Sequence, residues 1–98
     1  MRQAMTIIDK AMHFAIDAYH GELRKGDSSP AVMHAMETGA IVSSLTSDEE
    51  TIAAAILHDV VEDAGIAVSE LRECFGNRVA QLVEAETENK RPELPQEQ

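Results

Sequence analysis

One short stretch of the sequence combines the residue types that metal chemistry needs. His58 and Asp59 are adjacent, and Glu62 and Asp63 follow at intervals that place all four side chains near one end of a helix. Imidazole with carboxylate suits Mn²⁺, Fe²⁺ or Zn²⁺, with water at the open positions. A metal held in this way lowers the pKa of a bound water and neutralises phosphate charge. An isolated His-Asp pair, however, is more often a solvated helix end than a pair of ligands.

Helices are the elements that must position these residues. Apolar residues recur at intervals of three and four, and no segment alternates apolar and polar residues as a strand would. The pattern predicts helices over about 6–19, after Pro30, over 52–61, over 69–75 and from about residue 77. We therefore expect an all-α fold, a compact bundle of about five helices.

Capping residues predict where two of these helices begin and where one ends. Thr6 and Asp9 have the spacing of a capping box, and so do Ser47 and Glu50. Gly65 is expected to end the helix that carries the histidine and the carboxylates. These signals place the polar cluster at the carboxyl end of a strongly apolar helix.

Composition narrows the classes of function. The 98 residues suffice for one domain, and 44% are hydrophobic while only 3% are aromatic, which favours close helix packing. A net charge of −10, from 18 acidic and 8 basic residues, opposes binding to nucleic acid. We therefore predict no nucleic-acid partner. A small anionic ligand would need a local positive site, which a bound metal or the neighbouring Arg24 and Lys25 would provide.

Three further features concern location. No apolar run reaches the roughly 20 residues that span a bilayer, and the amino terminus lacks the pattern of a secretion signal. Cys74 is the only cysteine, so an internal disulfide is impossible. These features predict a cytoplasmic protein without a membrane partner.

Several motifs, in order and spacing, resemble the hydrolase domain of RelA/SpoT-type alarmone enzymes. Residues 14–34 are similar to its opening, A-H-x-G-Q-x-R-K-G followed by P-Y-x-x-H-P, and residues 48–63 to D-x-x-T-I-x-A-A-x-L-H-D-x-x-E-D. Residues 75–83 resemble F-G-x-x-V-A-x-L-V, and 87–90 the segment after it. On these motifs the chain is identified as a member of the HD superfamily of metal-phosphohydrolases. We expect residues 1–90 to form this domain and 91–98 a polar, proline-containing tail.

The resemblance implies a metal centre and a reaction. His34, His58 and Asp59 would be metal ligands, usually of Mn²⁺, although another divalent metal would also suit them. Glu62 and Asp63 would position or deprotonate the attacking water. The implied reaction is hydrolysis of the 3′-pyrophosphate of guanosine 3′,5′-bis(diphosphate), ppGpp, to GDP and pyrophosphate, a step of the stringent response.

The resemblance also implies a substrate-binding pair. Arg24 would lie against the guanine ring, and Lys25 would help hold the phosphates. Without the surrounding motifs, the two residues would be interpreted as part of a solvated loop. A highly anionic substrate in an acidic protein does need such positive groups.

Some residues depart from the family pattern. Glu22 replaces its Gln, Ala31 its Tyr and Ala35 the Pro after the histidine, while Tyr19 stands where the pattern has a histidine. Loss of the tyrosine at position 31 would alter the nucleotide pocket. A hydrolase of another nucleotide is therefore an alternative.

A further departure concerns the fourth metal ligand. The family takes it from an Asp on a later helix, and no residue of this sequence matches that Asp. We expect a domain that is incomplete at its carboxyl end relative to the family. One explanation is a fragment of a longer hydrolase, and the other is a degenerate domain that binds a nucleotide or partner without hydrolysis. An uncovered apolar face would also favour a homo-oligomer.

Overall fold

The computed structural model describes residues 5–21, 23 and 30–89 and confirms the all-α fold. Its elements, in chain order, are α1 Ile7–Tyr19, α2 Ala31–Ser43, α3 Glu49–Ala64, α4 Val68–Phe75 and α5 Asn77–Asn89. Leu23 and Pro30 form an isolated antiparallel bridge between α1 and α2. Among the described residues, no helix is long and apolar enough to cross a membrane. The predicted boundary at residue 90 and the tail 91–98 lie outside the described residues, so this division stays a prediction.

Helix α3 is the centre of the bundle. It packs against α1, α2 and α5, while α4 packs against α5. Eight of its 16 residues are buried, because apolar residues occupy nearly all of its sides. A polar side chain on α3 therefore lies close to several other helices.

Helix α1 begins and packs as its sequence predicts. The Thr6 hydroxyl accepts a hydrogen bond from the Asp9 backbone at 3.1 Å, and the Asp9 carboxylate accepts one from the Thr6 backbone at 3.3 Å. The buried face consists of Ala11, Ala15 and Tyr19 at intervals of four. Tyr19, the last residue of this helix, is fully buried.

Helix α2 approaches α3 through small residues. Its buried positions are Ala31, Ala35 and Gly39, which lie four residues apart on one face. A Cβ atom at Gly39 would lie 2.6 Å from Cγ1 of Ile56, closer than side chains pack. The glycine is thus required for the close approach of the two helices, which brings His34 of α2 to the polar residues of α3.

The amino end of α3 corrects one prediction. The helix begins at Glu49 with Asp48 as its N-cap, so the capping box predicted for Ser47 and Glu50 is wrong. A carboxylate oxygen of Asp48 accepts the Glu50 backbone N–H at 3.2 Å. Both residues are good caps by type, but the Asp48 carboxylate also contacts Arg78 on α5, which a neutral serine could not match. The predicted end at Gly65, which has φ +70°, is confirmed.

Candidate metal centre

The carboxyl half of α3 holds a histidine and an aspartate inside the protein. His58 is 4% exposed and Asp59 is 7% exposed, and apart from Tyr19 with its hydroxyl they are the only buried side chains with a polar group in the described part of the chain. Burial of such groups costs free energy unless they are paired or bind a ligand. The prediction from sequence left open whether these residues face solvent or a site, and their burial favours a site.

Asp59 lies between two histidines. One carboxylate oxygen, Oδ2, is 3.3 Å from Nε2 of His34 on α2, and the other, Oδ1, is 3.4 Å from Nδ1 of His58. The Thr38 hydroxyl lies 3.4 Å from Oδ2 of Asp59 and 3.0 Å from the backbone oxygen of His34. The three predicted ligands thus lie together, with Thr38 beside them.

The second ring nitrogen of His58 has no hydrogen-bond partner among the described residues. This buried atom, Nε2, lies 3.3 Å from Oε2 of Glu62, but the two groups are not oriented for a hydrogen bond. An unsatisfied polar atom in a protein interior is uncommon and costs on the order of 1–3 kcal/mol. A metal ion or another ligand at this position would satisfy it.

The donor atoms are spaced as metal ligands are. One ligand atom each from His58, Asp59 and Glu62 lies within 4.8 Å of the others. Donors about 2.0–2.2 Å from a common ion lie about 3.0–3.5 Å apart. Two pairs have this spacing, Nε2 of His58 with Glu62 and Nε2 of His34 with Asp59, while Asp59 lies 3.4 Å from the other ring nitrogen of His58, Nδ1. Two nitrogens and several carboxylate oxygens suit a divalent transition metal. The residues present therefore fit such an ion.

The charges at this end of α3 also favour a cation. Asp59, Glu62 and Asp63 lie in its last two turns, and no basic residue lies in the last turn. The carboxyl end of a helix carries a partial negative charge, so carboxylates there are unfavourable without a positive partner. A divalent cation would supply that partner.

The predicted site residues fall into three groups. His34, His58, Asp59 and Glu62 are brought together, as described above. Asp63 is exposed, and its Oδ2 accepts a hydrogen bond of 2.9 Å from the Tyr19 hydroxyl on α1. The predicted substrate-binding residues at positions 24 and 25 lie outside the described residues.

The cluster opens into a cavity of about 440 Å³ between α2, α3 and α5. Cavities of this size hold small ligands. Its polar wall contains His34, His58 and Asp59, while Leu82 and Glu86 of α5 lie on another side. Residues Thr38 and Thr51 of the wall were missed by the sequence analysis, as were the two residues of α5. A signal existed for Thr38, which is four residues after His34, but the contribution of α5 depends on tertiary packing.

Comparison with known proteins decides the family. The sequence profile described as HD domain matches residues 11–96. The chain belongs to the HD domain family. The resemblance predicted from the sequence motifs is thereby confirmed, as is the all-α class. His58, Asp59 and Glu62 form a candidate site for a divalent metal.

Curated relatives of this HD domain are named for both breakdown and synthesis reactions. The guanosine-3′,5′-bis(diphosphate) 3′-pyrophosphohydrolase of Aquifex aeolicus is 40% identical over 80 residues, 82% of this chain and 11% of the relative. The GTP pyrophosphokinase of Myxococcus xanthus is 37% identical over 83 residues, 85% of this chain and 11% of the relative. A probable pyrophosphohydrolase of the same name from Synechocystis is 37% identical over 81 residues, 83% of this chain and 10% of the relative. The chain thus spans about a tenth of the length of these relatives.

Proposed function

We propose that this HD domain is a Mn²⁺-dependent phosphohydrolase that converts ppGpp to GDP and pyrophosphate. The observation that carries the proposal is the buried His58, whose Nε2 has no hydrogen-bond partner in the described part of the chain. This atom lies beside the Glu62 carboxylate, in a cluster that opens into a cavity. The names of two relatives supply the substrate class. Both pyrophosphohydrolase relatives match this chain over four-fifths of its length.

Three residues are proposed to hold the metal, and a fourth lies close to them. His34, His58 and Asp59 are the principal ligands, and Glu62 is close enough to join them. Mn²⁺ suits imidazole and carboxylate donors, and the cluster contains no cysteine to favour a softer metal. When bound, the ion supplies a water of lowered pKa and a positive charge beside the phosphates.

Glu62 and Asp63 are proposed to handle the attacking water. Their carboxylates lie at the exposed end of α3, where they can orient a water and take its proton. The water oxygen bonds to the phosphorus attached to O3′, and the bond between that phosphorus and O3′ breaks. Pyrophosphate leaves with the water oxygen, and O3′ takes up a proton as GDP forms.

The substrate brings several negative charges into an acidic protein. No lysine or arginine is among the described residues that line the cavity, and Asp59 and Glu86 add negative charge there. Attraction of the phosphates must therefore come from the metal and from residues outside this wall. Arg24 and Lys25 are proposed for that role, Arg24 against the guanine and Lys25 at the phosphates.

Other predictions about this chain stay open. They are the cytoplasmic location, self-association, the hydrolysis of another nucleotide and the role of a non-catalytic nucleotide-binding module. The binding module is the alternative from a different class of function. The test below separates it from hydrolysis.

The test is pyrophosphate release from ppGpp by the purified chain, with and without Mn²⁺. We expect release that requires Mn²⁺ and is lost in His58→Ala. His13→Ala removes an exposed histidine of α1 and is the matched control, which should be as active as the unaltered chain. A folded chain that binds Mn²⁺ but releases nothing from ppGpp contradicts the proposal. Release from another nucleotide would then identify a different substrate, and nucleotide binding alone would identify a binding module.

A further inference from the structure

A hydrogen bond joins the end of α1 to the end of α3 beside the candidate metal centre. The Tyr19 hydroxyl lies 2.9 Å from Oδ2 of Asp63, 44 residues away in the sequence. A phenol can only donate to a carboxylate, so the direction of this bond is determined. Tyr19 is fully buried, whereas Asp63 is exposed, so the rigid partner is the tyrosine.

The two carboxylates in the last turn of α3 have different contacts. An oxygen of Glu62 lies 3.3 Å from Nε2 of His58, whereas an oxygen of Asp63 accepts the hydrogen bond of the Tyr19 hydroxyl. An exposed carboxylate at a helix end otherwise samples several rotamers, and its restriction costs conformational entropy. The tyrosine reduces this cost, because its ring is already fixed by the core of the protein and offers the carboxylate an ordered donor.

We infer that Tyr19 is a positioning residue for Asp63. The hydroxyl engages Oδ2 and directs the second oxygen, Oδ1, toward a water molecule at the metal centre. This inference rests on the proposed function, in which Asp63 orients that water. In this inference, the effect of Tyr19 on the reaction passes through the aspartate.

Tyr19→Phe tests the inference because it removes the hydroxyl and keeps the buried ring. We expect kcat for pyrophosphate release to fall about tenfold, since a misplaced group commonly costs one to two orders of magnitude. The KM for ppGpp and the Mn²⁺ dissociation constant, measured by titration without substrate, should each stay within roughly twofold, because neither depends on Asp63 orientation. Val79→Ala, which removes core volume from α5, is the control for loss of stability and should leave kcat unchanged well below the unfolding temperature.

A double-mutant cycle shows whether Tyr19 acts through Asp63. If it does, Tyr19→Phe in an Asp63→Ala background lowers kcat no further. Urea unfolding without metal is then compared for the unaltered chain, the two single variants and the double variant. The shifts of the unfolding midpoint should be non-additive, because either single substitution already removes the hydrogen bond. Additive effects in either cycle overturn the inference.

Two kinds of failure are distinguishable. An active unaltered chain whose Tyr19→Phe variant has the same kcat overturns only the role of Tyr19. An unaltered chain that releases no pyrophosphate overturns the proposed function, and the inference with it, since Asp63 then has no water to orient.

Discussion

Both ends of α3 carry carboxylates, but the helix favours negative charge at its amino end and disfavours it at its carboxyl end. At the amino end, Asp48 and Glu50 lie where a helix favours negative charge, and Arg78 of α5 contacts both. Its Nη2 is 2.7 Å from Asp48, and its Nη1 is 2.8 Å from Glu50. The Arg78 hydrogen bond, followed by one from Thr51, holds the pKa of Asp48 well below its ordinary value. The charges at this end are satisfied by the protein itself.

At the carboxyl end, the carboxylates lie where a helix disfavours them. Asp59 and Glu62 have histidines as neighbours rather than an arginine, and His58 Nε2 is buried without a hydrogen bond among the described residues. The number of charged residues at a helix end therefore does not reveal a site. Unsatisfied, buried donors at an unfavourable helix end indicate a ligand, whereas paired and exposed charges indicate a structural contact.

The largest expected effect comes from removal of the buried imidazole. His58→Ala should abolish Mn²⁺ binding, because this ring lies within reach of both Asp59 and Glu62. Metal stoichiometry after dialysis against Mn²⁺, with helical content by circular dichroism, measures this. His13→Ala should bind as the unaltered chain does. An unchanged stoichiometry in His58→Ala would place the metal elsewhere.

The same substitution at each end of α3 tests whether position controls metal affinity. Glu62→Gln should raise the Mn²⁺ dissociation constant at least about tenfold, because it removes charge from the candidate centre. Glu50→Gln makes the same chemical change at the other end of α3 and should leave that constant unaltered. Titration of both variants under one set of conditions measures the contrast. Equal effects would mean that net charge, rather than position, controls metal affinity.

The smallest effect is expected at the amino end. Arg78→Met removes the partner of Asp48 and Glu50, and the unfolding temperature should fall by no more than about 5 °C at neutral pH, since exposed ion pairs contribute little. Mn²⁺ affinity should not change. A large loss of metal binding would show that the two ends are coupled, for instance through Thr51, which donates to Asp48 and lines the cavity.

The difference in unfolding temperature between the unaltered chain and Arg78→Met should disappear in acid. The folded pKa of Asp48 is lowered, so its contribution to stability is complete above the unfolded pKa of about 4 and is lost as the pH falls through the folded value. The pKa of Arg78 is raised further by its carboxylate partners, so the arginine stays charged throughout this range. Thermal unfolding of both chains is measured at pH 7 and in acid. Their unfolding temperatures should differ at pH 7 and become equal in acid. A constant difference would assign the effect to packing of the Arg78 side chain.

Local signals determined much of this protein from sequence alone. Periodicity and caps located all five helices and the break at Gly65, because they depend on residues within one or two turns. The motif around His58 and Asp59 indicated the family and the metal chemistry for the same reason. Even a local signal failed at the start of α3, where Ser47 and Asp48 are both acceptable caps and the contact with Arg78 on another helix favours the aspartate.

The contacts between helix faces come from the packing of the helices. The contacts of His34 with Asp59, of Tyr19 with Asp63 and of Arg78 with Asp48 join residues 25, 44 and 30 positions apart. The family resemblance had implied that His34 and Asp59 share a metal, but it gave no reason for their approach, which depends on how closely α2 approaches α3 at Gly39. No local pattern specifies the other two pairs, because they depend on how α1 and α5 pack around α3. The burial of His58 and the cavity beside it follow from the same packing, which converts a polar helix end into a candidate metal centre.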